Sequence, residues 1–315
     1  MRAGIVRELG ALPQAGEAPE PSPADGEALV EVLATPLNPI DIAVGAGRFY
    51  GGHPPLPFVP GCECVGRLES GELVWAHGGG LGTKRDGGLA ERLAAPREAL
   101  VPVPDGVSPA LAGAVGIAGL AGWLPLVWRA PVREGETVLV LGATGTVGLV
   151  AVQAAKMLGA GHVVAAGRSE ERLRRAADVG ADATVRIGGD DDAAAFREAC
   201  GGVGPNLVVD PLWGKPLAAA ADAAARGARL VNIGQSAGPD STLRSASVRG
   251  KQLEILGYSN YAVPHDVLER EYRDLTARAA SGEVRVEIEE FAFEDLDEAW
   301  RRQSEGAGAK VVVVQ

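Results

Sequence analysis

Three glycines, Gly142, Gly145 and Gly148, stand in a G-x-x-G-x-x-G spacing, with Ala143, Thr144, Thr146 and Val147 between them. Glycines let a backbone turn tightly and come close to an anion, and a helix that starts in the turn points its first N–H groups at that anion. The chemistry this suits is the holding of a pyrophosphate, although the spacing is one residue wider than the commoner G-x-G-x-x-G. About 20 residues further on, where a dinucleotide site reads the ribose, the chain has Gly167, Arg168 and Ser169, with Arg172 one helical turn later. Glu170 and Glu171 come after Ser169 and suit the first turn of a helix that Ser169 caps. Arginine without a carboxylate at the strand end suits a ribose 2′-phosphate, so the expected cofactor is NADPH rather than NADH.

Other reactive side chains form weaker patterns. Cys62 and Cys64 are two apart and face one side of a strand, with His53 and His77 flanking them. A metal is conceivable there, but small buried thiols are the expected reading. Gly234-Gln-Ser-Ala-Gly238 matches the G-x-S-x-G elbow of hydrolases, yet Pro239 and Asp240 follow where a helix must begin, and His265 is the only histidine downstream. None of the four tyrosines has lysine four residues later, as a Tyr-x-x-x-Lys reductase needs.

The elements that must position these groups follow from periodicity. Residues 136–141 read as a buried strand. Val147, Val150, Ala151, Ala154, Met157 and Leu158 recur at helical spacing, and Gly159 stands where a helix C-terminus wants a left-handed residue. A strand at 162–166 completes a βαβ unit. Strands then alternate with helices: strand 184–187, a helix opened by Asp191 and Asp192, strand 206–210, helix 217–225, and strands 229–233 and 253–258. That alternation predicts a doubly wound parallel sheet of the α/β class. Helix 266–280, strand 284–291, helix 293–302 and strand 310–315 close the chain. Residues 1–110 differ, with short apolar runs separated by proline and glycine clusters, which predicts a β-rich, barrel-like domain.

At 315 residues, with 46% hydrophobic and 23% charged side chains, the composition is that of a soluble globular protein of about two domains. A net charge of −11 disfavours nucleic acid and anionic membrane as partners. Three cysteines make no disulfide framework, and a reducing, cytoplasmic setting is expected. The uncharged stretch 110–128 approaches transmembrane length, but its glycines and Pro125 point to a buried helix.

Taken together, Pro36-Leu-Asn-Pro-Ile-Asp41, Pro57-Phe-Val-Pro-Gly-Cys-Glu63, Gly87-Gly-Leu-Ala-Glu91, Val101-Pro-Val-Pro-Asp-Gly106, Gly119-Leu-Ala-Gly-Trp123, the Gly142–Gly148 turn, Asn232-Ile-Gly234 and Lys310-Val-Val-Val-Val314 carry a family resemblance. The chain resembles the medium-chain dehydrogenase/reductase superfamily, in its zinc-independent, zeta-crystallin-like quinone oxidoreductase branch. The resemblance implies a GroES-like catalytic domain from residues 1–112 and 260–315, and a Rossmann NADP-binding domain over 113–259. It further implies a homodimer and NADPH-dependent reduction of a small-molecule carbonyl or quinone substrate, with Asn38 and Asp41 lining the catalytic site. It places Tyr50 as a donor to the substrate oxygen, with Gly234 and Gln235 flanking the nicotinamide. Asn38 and Cys62 stand where zinc-dependent members have ligands, so no metal is expected. Two departures matter: Ala121-Gly122 lacks a hydroxyl usual in the family, and Ile187 replaces a tyrosine that often helps hold the 2′-phosphate. A non-catalytic NADPH-binding redox sensor is the alternative.

Overall fold

The computed structural model describes residues 1–315. The chain divides into two compact units, one of Met1–Ala118 with Pro264–Gln315 and one of Gly119–Val263. The first opens with β1 (Arg2–Ile5), β2 (Gln14–Glu17), β3 (Glu27–Pro36), α1 (Pro39–Gly45), β4 (Glu63–Leu68), β5 (Leu73–His77), β6 (Arg92–Pro96), β7 (Leu100–Pro102) and α2 (Pro109–Ala114). Next along the chain come α3 (Ile117–Leu124), β8 (Thr137–Leu141), α4 (Thr146–Met157), β9 (His162–Gly167), α5 (Glu170–Asp178), β10 (Ala183–Arg186) and α6 (Asp192–Ala199). They are followed by β11 (Leu207–Asp210), α7 (Gly214–Ala223), β12 (Arg229–Asn232), α8 (Ser245–Lys251) and β13 (Glu254–Gly257). The chain then returns to the first unit with α9 (His265–Ala280), β14 (Ile288–Ala292), α10 (Leu296–Glu305) and β15 (Lys310–Val314).

The first unit is organised by β3. Ala28, Val30, Val32 and Ala34 point inward while Leu29 and Glu31 face out, the period-two alternation of a half-buried strand. β3 lies inside a seven-stranded sheet of order β14-β15-β3-β4-β5-β7, with β6 also pairing β3. All pairs are antiparallel except β14 with β15. Its core joins Leu37 and Leu89 to Phe293, Leu296, Trp300 and Val311, so side chains from both ends of the chain share one interior.

The second unit holds six parallel strands in the order β10-β9-β8-β11-β12-β13. Counted from β8, this is the doubly wound order 3-2-1-4-5-6. Val138 to Leu141 are fully buried, as a central parallel strand covered on both faces must be. Gly159 follows α4 at φ +89°, as its position after the apolar face predicts.

Several expectations need correction. The uncharged stretch 110–128 is not one helix; it breaks into α2, α3 and a π-helical turn, Pro125–Arg129. The break lies at Gly116, where a Cβ would sit 2.1 Å from Glu63 Oε2, and Ile117 N–H donates to that same oxygen at 2.8 Å. No helix is long and apolar enough to cross a membrane. Helices α1 and α8 were not expected, and the strand read at 284–291 is shorter and later, as β14.

Candidate functional site

In a doubly wound sheet, ligands bind beyond the carboxyl ends of the strands where the order reverses, here between β8 and β11. The Gly142–Gly148 turn lies there. Gly142 adopts φ +61°, a region that favours glycine, and a Cβ on it would sit 3.1 Å from the side chains of Pro211 and Leu212, which follow β11. Gly148 lets the first turn of α4 press on the loop, since its Cβ would fall 2.4 Å from Gly142 O and 2.5 Å from Ala143 Cα. Gly145 is the N-cap of α4 and is open, with nothing nearer than 3.9 Å to its Cβ position.

No side chain caps α4. Ala143 N–H is bound to Ala166 O, Gly145 N–H to Gly142 O, and the helical ladder starts with Leu149 N–H to Gly145 O. The N–H groups of Thr146, Val147 and Gly148 therefore point out of the helix end, in the arrangement that attracts an anion. Thr144 packs its methyl on Gly167, whose Cβ would lie 2.6 Å from Thr144 Cγ2, so glycine is required at that strand end.

At the end of β9, Arg168 is exposed. Ser169 caps α5 by accepting from Arg172 N–H at 3.3 Å, and Glu170 and Glu171 occupy the first turn, as expected. Arg168 and Arg172 thus flank one turn. Gly234 and Gln235 follow β12, and a Cβ on Gly234 would lie 2.9 Å from Pro211 O.

Sequence reasoning missed what ties these turns together. Asp210, fully buried at the end of β11, accepts from Leu212 N–H and Trp213 N–H, each at 2.9 Å, and from Asn232 Nδ2 at 3.2 Å. Burial raises its carboxyl above the usual range, against the pull of these donors. The bonds hold Trp213 at φ 57°, ψ −157°, a conformation almost confined to glycine. The signal was present as a lone Asp ending the apolar run Leu207-Val-Val.

In the first unit, Asn38 and Asp41 are each 1% exposed, so their side chains are spent internally. Asp41 accepts from Asn38 N–H and Cys62 N–H, both at 2.7 Å, and burial raises its carboxyl. Asn38 Nδ2 donates to Glu63 Oε1 at 2.8 Å, while its Oδ1 accepts from Lys310 Nζ at 2.5 Å. Glu63 also accepts from Trp75 Nε1 at 2.7 Å and lies 3.5 Å from Lys310 Nζ. Tyr50 is 88% exposed on the loop after α1, with its ring 4.5 Å from that of Phe49. Cys64 is buried in β4 with its thiol pushed up to about 12 by burial, and His77 stacks on Trp75. No group of three or more His, Cys, Asp or Glu side chains is placed to hold a metal. Ser236 Oγ donates to Pro211 O at 3.2 Å and no helix follows it directly, so the elbow geometry is lacking.

Comparison with known proteins agrees with this architecture. A family described as the alcohol dehydrogenase GroES-like domain matches residues 24–105, and one described as zinc-binding dehydrogenase matches residues 146–280. A quinone oxidoreductase of Lama guanicoe is 26% identical over 100% of this chain and 97% of its own length. An alcohol dehydrogenase of Geobacillus stearothermophilus is 26% identical over 97% of this chain and 96% of its own. The quinone oxidoreductase of Thermus thermophilus, solved alone and with NADPH, is 31% identical with a TM-score of 0.82, and each chain is covered in full. The chain belongs to the medium-chain dehydrogenase/reductase superfamily of oxidoreductases, in its quinone oxidoreductase-like branch.

Proposed function

We propose that the protein is a zinc-independent, NADPH-dependent oxidoreductase that reduces quinones or the activated C=C bonds of enones and enals. The observation that carries this reading is the open Gly145 turn at the sheet's reversal point, with Arg168 and Arg172 and no carboxylate at the end of β9. When bound, NADPH supplies hydride to an electron-poor carbon. The N–H groups of Thr146, Val147 and Gly148 hold its pyrophosphate, Arg168 and Arg172 hold its 2′-phosphate, and Gly234 and Gln235 flank its nicotinamide. Structures of relatives with NADPH support the cofactor.

Reduction of a conjugated carbonyl or a quinone develops negative charge on oxygen, which needs a hydrogen-bond donor and a proton. Tyr50 is the candidate donor, since its exposed hydroxyl is open to a substrate. Asn38 and Asp41 act by position, fixing the Pro36–Asp41 turn from beneath. Zinc does not fit the residues present: Glu63 is engaged by Trp75, Ile117 and Asn38, and the Lys310 ammonium beside it opposes a second cation. We also expect a homodimer by analogy with the family.

Titration of the protein with NADPH and NADH by nicotinamide fluorescence, followed by a simple quinone, tests the reading. NADPH preference and steady oxidation support it. Binding without turnover of any quinone or enone favours an NADPH-binding sensor, a role that the internal use of Asn38 and Asp41 makes worth separating.

A further inference from the structure

Arg186 ends β10, in register with Gly167 on β9, and the next residue, Ile187, donates its N–H to Gly167 O at 3.0 Å. Successive residues of a strand face opposite sides. Ile187 packs on the core of the second unit, whereas Arg186 and Thr184 share a groove of about 330 Å³ with Glu170, Leu173, Arg174 and Ala177 of α5, so Arg174 is a second cation in the groove. The Arg186 side chain therefore starts one strand away from the turn that carries Arg168 and Ser169, on the side of α5.

Its one ion pair is with Glu170, at 3.8 Å, and the two side chains are 67% and 71% exposed. So long and open a pair is nearly neutral in free energy and breaks readily. A phosphate monoester carries more negative charge than Glu170 and can accept two parallel charge-assisted hydrogen bonds from the guanidinium, which the 3.8 Å pair with Glu170 does not make. Glu170 supplies a second reason: it directly follows Ser169, and its carboxylate repels a phosphate held at that turn unless a cation offsets it.

We propose that Arg186 is a specificity-determining residue for the cofactor, exchanging Glu170 for the ribose 2′-phosphate of NADPH and screening that phosphate from Glu170. The proposal rests on the NADPH reading above and adds a third arginine, from a different strand, to the two that the turn supplies.

The test is the dissociation constants of NADPH and NADH for the full chain and for Arg186→Ala, Glu170→Gln and Arg168→Ala, with the unfolding midpoint of each. Arg186→Ala is expected to weaken NADPH roughly tenfold and NADH less than twofold, with an unchanged midpoint. Glu170→Gln is expected to tighten NADPH about two- to threefold, since a repelling charge is lost. If Arg168→Ala abolishes NADPH preference while Arg186→Ala leaves it intact, the Arg186 proposal fails and the NADPH reading stands. Equal weakening of both cofactors by Arg186→Ala also overturns it. A wild-type chain that binds both cofactors equally overturns the reading and the proposal together.

Discussion

Replacing Lys310 by Met tests whether the buried network of the first unit is held by charge. Lys310 is 3% exposed and Glu63 fully buried. Removing the ammonium leaves the Glu63 carboxylate in the interior with three neutral donors, Trp75 Nε1 at 2.7 Å, Ile117 N–H at 2.8 Å and Asn38 Nδ2 at 2.8 Å. It also strips donors from Leu37 O and Asn38 Oδ1. Breaking a buried pair from one side costs about 3–5 kcal/mol, and the three surviving donors favour the lower end. With a urea dependence near 3 kcal/mol per molar, a loss of 3 kcal/mol moves the midpoint of the first unit down by about 1 M. Tryptophan fluorescence during urea unfolding reads this when measured in a variant keeping only Trp75 and Trp300, the two tryptophans of the first unit. The double variant Glu63→Gln with Lys310→Met should recover most of the loss. Asn38 is then free to turn its amide and accept from the new glutamine N–H, while the glutamine oxygen still serves Trp75 and Ile117. A midpoint shift below about 0.3 M for Lys310→Met, or a double variant weaker than the single, refutes the reasoning.

Gly148→Ala and Gly145→Ala should separate folding from binding. The first drives a Cβ into backbone at 2.4 Å and should lower both stability and NADPH affinity, whereas the second fits the fold and obstructs only an approaching pyrophosphate, so fluorescence titration should weaken at least tenfold with the melting point nearly unchanged. Burial holds the His77 imidazole below its ordinary range, against the opposing pull of Glu63. The unfolded chain thus binds the extra proton first, so stability present above about pH 6.5 is lost as pH falls below it, and His77→Phe should flatten urea midpoints measured between pH 7.5 and 5.5. Ser169→Ala removes the N-cap of α5 and should cost about 1 kcal/mol in thermal unfolding of the second unit.

The nucleotide half was legible because its signals are local. Val138 to Leu141 form an apolar run since both faces of a central strand are covered, and Gly142, Gly145, Gly148 and Gly159 mark the turns that follow. What escaped was set by distant partners. Nothing within 110–128 announces a break at Gly116, because the carboxylate that causes it arrives from β4. Asn38 and Asp41 read as site residues, yet their burial depends on Cys62, Glu63 and Lys310. Helix α8 buries no residue and so has no apolar stripe to betray it. Arg186 looks like one more surface charge until β10 is set beside β9.

The bond from Lys310 to Leu37 spans 273 residues. During synthesis at about 5–20 residues per second, the first unit therefore waits roughly 15–55 s between emergence of one partner and the other. Until Lys310 arrives, the Ala34–Pro36 end of β3 lacks its partner β15, while Glu27–Glu31 is already paired with β6, and Glu63 lacks its counter-ion. The second unit, continuous in sequence, has every strand of its sheet before β15 leaves the ribosome. A nascent chain stalled short of Lys310 thus presents a finished nucleotide fold together with an open sheet edge, the form that chaperones and proteases meet first.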